Sequence, residues 1–143
     1  MKKTILVVAL SLLGGFLLIQ LVPYRISNPS VRSEPTWDSP RTRQLAVAAC
    51  YDCHSNEVHT PWYGKIAPVS WWLANHVDDG RAALNFSDWK NARGEGAGDA
   101  AETVRDGSMP PSYYTWFGLH SSAKLTKAER DELARGLTAS LNR

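Results

Sequence analysis

The chain is organised around the pentapeptide Cys50-Tyr51-Asp52-Cys53-His54, which has the pattern C-x-x-C-H. This pattern is the signature of covalent c-type haem attachment, in which two thiols bind the haem vinyl groups and the histidine ligates the iron. Thiols three residues apart at a helix end lie close enough for two vinyl groups of one ring. The stretch therefore predicts one haem c per chain, attached through Cys50 and Cys53, with His54 as the first iron ligand.

Three other uses of a C-x-x-C pattern fit the surrounding sequence less well. A thioredoxin-like site follows a strand in a βαβ unit, whereas residues 41–49 before the motif contain Ala and Leu and have helical character. A structural zinc site needs four protein ligands, and the chain has no second paired ligand motif. A disulfide between cysteines three residues apart closes a very small loop and constrains little. Haem attachment is therefore favoured.

Length and charge limit the class of protein. A chain of 143 residues is long enough for one domain and a short appendage. The formal net charge is +2, but Lys2, Lys3 and Arg25 belong to the N-terminal segment, which leaves 13 basic and 14 acidic residues elsewhere. Because nothing resembles the basic stripe that nucleic-acid binding requires, we exclude nucleic acid as a partner.

Residues 1–25 are predicted to form a membrane anchor. Two lysines precede an apolar run of about 19 residues, residues 4–22, which is just long enough to span a hydrocarbon core of about 30 Å. A cleaved signal peptide is the alternative, but its apolar region is usually shorter and ends at a small-x-small site, which is absent from residues 20–24. We favour an uncleaved single-pass helix.

The orientation of this anchor follows from its charge. Lysines on the short N-terminal side keep that end in the cytoplasm, so the remainder of the chain is expected on the periplasmic side of the cell inner membrane. With either an anchor or a cleaved signal peptide, the two cysteines reach the exported compartment, where c-type haem is attached in bacteria.

The remaining chain is predicted to be all-α. Residues 26–36 contain two prolines and read as a linker or extended arm, and residues 37–143 form the haem-binding domain. Ser39 and Pro40 are a typical helix N-cap and first helical residue. Two further helices are predicted: one over residues 68–79, closed by Gly80 and with an apolar face at positions 69, 72, 73, 76 and 77, and a short one over 88–93.

The C-terminal part gives two more helix predictions. Residues 99–106 form a helix closed by Gly107. The last helix begins with the capping box Thr126 to Glu129 and is expected to pack across the first domain helix through one apolar face. The residues of that face are Leu133, Ala134, Leu137 and Leu141. No stretch alternates with the period of two typical of a strand.

Several residues compete for the second axial position on the iron. Met109 is the only methionine besides the initiator, and Pro110 and Pro111 stiffen its loop, so it is favoured over a role as core filler. The other candidates are His59, His76, His120, water or no ligand. We expect His59 to point away, His76 to be packed or to face a haem propionate, and His120 to lie at the surface.

Aromatic residues are expected near the haem. Trp62, Tyr63 and Ile66 lie in a segment with Pro and Gly that is too apolar for a solvated loop, and they are predicted to line a haem edge or support the core. Trp62, Tyr63, Trp71 and Trp72 are expected to belong first to the core and to exclude water from the haem.

Concatenated motifs resemble the bacterial haem-binding domain family, a group of small exported c-type haem proteins. They are C-Y-D-C-H-S-N-E at 50–57, P-W-Y at 61–63, I-A-P-V-S-W-W at 66–72, G-R at 80–81, L-N-F-S at 84–87, Trp89 and M-P-P at 109–111. The resemblance covers about residue 36 to the C-terminus. It implies a cytochrome c-like helical fold, Cys50 and Cys53 as thioether donors, His54 as proximal ligand and Met109 as distal ligand.

A haem held by both His54 and Met109 has no free iron position, and Met/His ligation raises the reduction potential. We therefore expect a monohaem cytochrome that passes single electrons between redox proteins of the exported compartment, and not an enzyme. The alternative is a haem-based sensor or small-ligand binder in which the distal ligand is displaceable. Peroxidase-like catalysis is disfavoured because no distal acid or base such as His or Glu is placed near Met109 in the sequence.

Overall fold

The computed structural model describes residues 1–92 and 94–141, and in these residues it is helical without any strand. The α-helices are α1 (Lys2–Ile19), α2 (Pro40–Ala49), α3 (Tyr51–His54), α4 (Val69–Ala83), α5 (Trp89–Ala92), α6 (Ala100–Asp106) and α7 (Lys127–Leu141). Short 3-10 turns connect them at Trp62–Lys65, Glu95–Ala97, Ser112–Gly118 and Ser121–Ala123. The all-α prediction is confirmed. Arg93, the predicted last residue of the short fifth helix, lies outside the described residues.

The helix α1 is apolar and exposed along its length. It has 18 residues and a mean hydropathy of 1.9, and none of it is buried within the protein. By length and composition it is able to cross a membrane.

Local capping signals position the helices of the domain as predicted. The Ser39 hydroxyl accepts a hydrogen bond from the Thr42 backbone N–H at 3.1 Å, and proline occupies the first position of α2. At α7 the reciprocal capping box forms, because Thr126 N donates to the Glu129 carboxylate at 3.0 Å and Glu129 N donates to the Thr126 hydroxyl at 3.2 Å. Gly107, at φ 86°, ends α6 in the left-handed conformation that favours glycine.

The core lies where α2, α6 and α7 meet. Its buried side chains include Leu45, Tyr51, Leu84, Phe86, Val104, Leu133, Leu137 and Leu141. The predicted packing of the last helix, α7, across the first helix of the domain, α2, is confirmed. The two helices are in close contact, since a side chain at Gly136 would collide with buried Thr42. Burial of these apolar groups is the main driving force that holds the domain together.

The prediction for α4 is wrong in two respects. The helix continues through Gly80 to Ala83, so Gly80 is not its C′ residue. Its buried face is made of Ser70, Ala74 and Val77, whereas the bulky Trp72 of the predicted face is 52% exposed. Small residues on the buried face let α4 approach its neighbours closely, and this requirement prevails over the apolar periodicity.

The segment 26–36 is extended and is hydrogen bonded along the domain. The Asn28 side chain donates to the Val58 carbonyl at 3.0 Å and accepts from the Val58 N–H at 3.1 Å. Arg81 on α4 donates to the Ser27 carbonyl at 2.9 Å. These bonds hold the segment as an arm against the surface, while the division of the chain into anchor, linker and domain stays a prediction.

Candidate functional site

The C-x-x-C-H motif forms α3, a single helical turn that directly follows α2. The two helices join at Cys50, whose φ of −124° interrupts the regular helix, and the His54 N–H bonds back to the Cys50 carbonyl at 2.9 Å. Both thiols are free. Burial raises the pKa of Cys50 to about 12 and that of Cys53 to about 11, so both are neutral thiols at pH 7.

The imidazole of His54 is held by two backbone carbonyls. Its Nδ1 lies 2.7 Å from the Gly80 oxygen and 3.1 Å from the Leu84 oxygen. Because carbonyls only accept hydrogen bonds, Nδ1 carries the proton and Nε2 keeps its lone pair. Burial lowers the pKa of His54, with the two carbonyls acting in the opposite direction. The histidine is thus neutral and presents one fixed donor atom, as a metal ligand requires.

Gly80 brings α4 into contact with the motif. A Cβ atom at this position would lie 2.5 Å from the Cys53 carbonyl oxygen and 3.1 Å from the Cys53 carbonyl carbon. Only a residue without a side chain therefore allows the approach that lets the Gly80 carbonyl reach His54. This role of Gly80 was not predicted from the sequence, although a single glycine inside a helical pattern is itself a signal of close packing.

Asp52, one of the two variable residues of the motif, organises a second cluster. Its carboxylate accepts from the Tyr114 hydroxyl at 2.6 Å and from the His59 backbone N–H at 2.9 Å. The His120 ring stacks on Tyr114 with ring centroids 4.0 Å apart and places Nδ1 3.8 Å from Asp52. On its other side, His120 Nε2 is 3.2 Å from the Tyr63 hydroxyl.

This cluster corrects the prediction that His120 lies at the surface. Its side chain is partly buried between Tyr114 and Tyr63. Burial and then the hydrogen bond to Asp52 raise the pKa of Tyr114, which keeps its hydroxyl protonated and available as a donor. Asp52 lies 62 residues before Tyr114 in the sequence, and only the aromatic content of residues 112–117 hinted at a packed loop.

Met109 begins the loop that carries Tyr114. Its N–H donates to the Thr103 carbonyl at 2.9 Å, so the start of the loop is tied to α6. Five residues later the hydrogen bond from Tyr114 to Asp52 ties the loop to the motif. Met109 itself is 39% exposed. The structure therefore connects the loop of Met109 to the C-x-x-C-H turn.

A band of aromatic side chains lines α4 and the Met109 loop. The His76 ring lies 4.3 Å from Trp72, and Tyr113 lies 6.3 Å from Trp72 and 6.5 Å from Trp116. Trp72 and Trp62 are 52% and 76% exposed, so the expectation that they support the core is wrong, while the alternative that Trp62 lines a haem edge stays a prediction. Trp62 lies in the turn whose buried residue is Gly64, and Trp72 lies in α4, whose buried residues are Ser70, Ala74 and Val77.

A comparison with protein families gives one match. The sequence model of a family described as a haem-binding domain covers residues 14–139. The chain belongs to the haem-binding domain family. No curated protein and no solved structure was found to match it.

The residues of this haem-binding domain suit a haem. Cys50 and Cys53 supply unpaired thiols, and His54 supplies an imidazole nitrogen with its second nitrogen already bonded to a carbonyl. In the described part of the chain, Trp71 Nε1 and His76 Nδ1 are buried without a hydrogen-bond partner. Buried groups of this kind call for a partner, and carboxylates such as the haem propionates accept hydrogen bonds from either atom.

Side chains that could bind a bare metal ion are not grouped in the described part of the domain. Among residues 1–92 and 94–141, no three His, Cys, Asp or Glu side chains are grouped so that they could hold one. The four protein ligands of a structural zinc site are therefore not brought together within these residues.

Proposed function

We propose that this haem-binding domain carries one haem c, attached covalently through Cys50 and Cys53, and transfers single electrons between redox proteins of the exported compartment. His54 is its proximal ligand and Met109 its distal ligand. The observation that carries the proposal is the pair of hydrogen bonds from His54 Nδ1 to the Gly80 and Leu84 carbonyls, at 2.7 and 3.1 Å. When bound, the haem supplies an iron that changes by one electron.

The chain's own residues keep the site rigid. The two carbonyls fix the ring orientation and the tautomer of His54, so that Nε2 is presented without rearrangement. Gly80 fixes the distance between α4 and the motif. A site whose ligands do not move has a low reorganisation cost, which suits electron transfer better than substrate turnover. We therefore propose a carrier and not an enzyme.

Met109 is supported as the distal ligand by the way its loop is held. The left-handed Gly107 turns the chain out of α6, and Pro110 and Pro111 restrict the backbone that follows. The hydrogen bond from Tyr114 to Asp52 then closes the loop onto the motif. A thioether is a modest ligand, and a loop closed at both ends lowers the entropy lost when it binds.

Replacing Met109 by leucine tests this ligation, because leucine keeps the apolar volume and removes the sulfur. We expect the loss of the red-region absorption band of sulfur-ligated ferric haem and a lower reduction potential. Trp116→Phe, a change in the same exposed loop, serves as the control and should leave the band in place. A Met109→Leu protein with the band and the potential of the wild type would contradict the assignment.

The second candidate is a haem-based sensor or small-ligand binder in which Met109 is a displaceable distal ligand. A distal ligand that is easily displaced would let carbon monoxide bind to the reduced protein at neutral pH. The electron carrier should resist carbon monoxide because its iron has six ligands. Binding in the wild type at the rate of the Met109→Leu protein would favour the sensor.

We also propose that α1 remains in the mature protein as an inner-membrane anchor, with the domain in the periplasm. The hydropathy of α1 supports this, and so does the family match, which begins at residue 14 inside α1. A further support is the Gln20 side chain, which pairs with both backbone groups of Ala67 at 2.9 and 3.1 Å. The mass of the mature chain tests the proposal, because cleavage after α1 would remove about 2 kDa.

A further inference from the structure

The 3-10 turn Trp62–Lys65, which follows the motif, and the residue after it expose large apolar side chains. Trp62 is 76% exposed and Ile66 is 38% exposed, and Lys65 between them is exposed as well. Their 3-10 turn is firmly built, because the Gly64 N–H bonds to the Pro61 carbonyl at 3.0 Å and the turn packs on α4 through Gly64. The exposure of Trp62 is therefore a property of a rigid element.

The end of α1 is bonded directly beside this turn. The Gln20 side-chain oxygen accepts from the Ala67 N–H at 2.9 Å, and its nitrogen donates to the Ala67 carbonyl at 3.1 Å. Ala67 follows Ile66 in the chain, so the two Cα atoms are about 3.8 Å apart. The first residue after α1 and the exposed turn are thus neighbours.

The dimensions of α1 fix the depth of this contact. Its 18 residues give a length of about 27 Å, close to the thickness of a hydrocarbon core of about 30 Å. Gln20 then lies at the boundary of the core, below a headgroup layer of about 5–7 Å. Trp62–Lys65 is a 3-10 turn with three steps of about 2 Å each, and Ile66 after it is extended, so the two steps to Ala67 add about 3.3 Å each. Trp62 is thus about 13 Å along the chain from Ala67, and its indole is within reach of that layer.

We infer that Trp62 and Ile66 lie in the headgroup layer of the bilayer that α1 crosses, so that the domain rests with this turn on the membrane. The indole and lysine side chains are those that favour the interface, where an apolar ring meets polar headgroups. Besides the contact between Gln20 and Ala67, the Tyr24 hydroxyl donates a hydrogen bond to Asp78 on α4 at 2.9 Å and ties the chain after α1 to the domain a second time. The domain is therefore held in one orientation and does not swing on a free linker.

The inference rests on the proposed membrane anchor, and photo-crosslinking of the full chain in vesicles of phosphatidylethanolamine and phosphatidylglycerol tests both. Trp62 is replaced by p-benzoylphenylalanine, a residue of similar size, and lipid adducts are measured by mass spectrometry. The same photoreactive residue at Glu102, exposed on α6, is the matched control. We expect about tenfold more lipid adduct at position 62 than at position 102.

A second variant tests how the turn is held. Gln20→Ala removes both hydrogen bonds to Ala67 and should lower the adduct yield at position 62 while the chain still floats with the vesicles. If the chain floats with the vesicles but gives equal yields of lipid adduct at positions 62 and 102, the turn does not rest on the membrane, and the proposed anchor is unaffected. Chains that do not float overturn the anchor, and the inference with it.

Discussion

Replacing Gly80 by alanine should damage the haem site from the proximal side. The new Cβ would lie 2.5 Å from the Cys53 carbonyl oxygen, whereas ordinary contacts begin at 3.4 Å, so α4 must retreat by about 0.9 Å. Overpacking of this kind costs about 1–3 kcal/mol, and a lost hydrogen bond to His54 costs about 1 kcal/mol more. About 1 kcal/mol of this loss is offset because alanine has a higher helix propensity than glycine.

The net expectation for Gly80→Ala is a free energy of unfolding lower by about 1–3 kcal/mol. Urea unfolding of the full chain in detergent, followed by circular dichroism, measures this change, and haem content per chain should fall in parallel. Gly98→Ala is the matched control, because Gly98 has helical backbone angles and open space around its Cα. A Gly80→Ala protein as stable as the wild type and with full haem content would refute the reasoning.

Two further predictions concern polar contacts. Tyr114→Phe removes the hydrogen bond to Asp52 and should speed amide exchange across residues 108–120, measured by mass spectrometry, whereas Tyr113→Phe should not. Equal exchange in both variants would argue against the hydrogen bond from Tyr114 to Asp52 as the contact that holds this loop. The pKa of Glu34 is lowered, chiefly because Arg43 donates hydrogen bonds to its carboxylate. The ionised carboxylate therefore contributes fully to stability at any pH above 4.5, the ordinary pKa of a glutamate. This contribution is lost as the pH falls through the lower pKa of the folded state. The stability gap between wild type and Glu34→Gln should therefore be present at pH 7 and vanish in acid, and a gap independent of pH would contradict this.

Local signals predicted much of the secondary structure. The serine cap at Ser39, the capping box at Thr126 and the glycine stop at Gly107 all act within one turn of helix, and all three are confirmed. Each of these signals works because a nearby side chain or backbone conformation satisfies the free groups at a helix end. They require no knowledge of the rest of the fold.

Long-range packing decided the features that sequence reasoning got wrong. Gly80 was interpreted as a helix stop, yet it lies inside α4, because its contact partner is Cys53, 27 residues earlier. His120 was expected at the surface, but it stacks on Tyr114 beside Asp52. The periodicity of a helix gives the spacing of its apolar residues, and the neighbouring elements decide which face is covered.

The sequence by itself determined the cofactor class, because C-x-x-C-H places two thiols and an imidazole at the spacing typical of haem attachment. It also determined an apolar N-terminal helix and an all-α domain, since both depend on composition and local periodicity. Only the tertiary structure decided which groups support His54 and how the Met109 loop meets the motif. The Gly80 carbonyl and the Tyr114 hydroxyl reach the motif from 26 and 62 residues away, and contacts across such separations depend on how the helices pack.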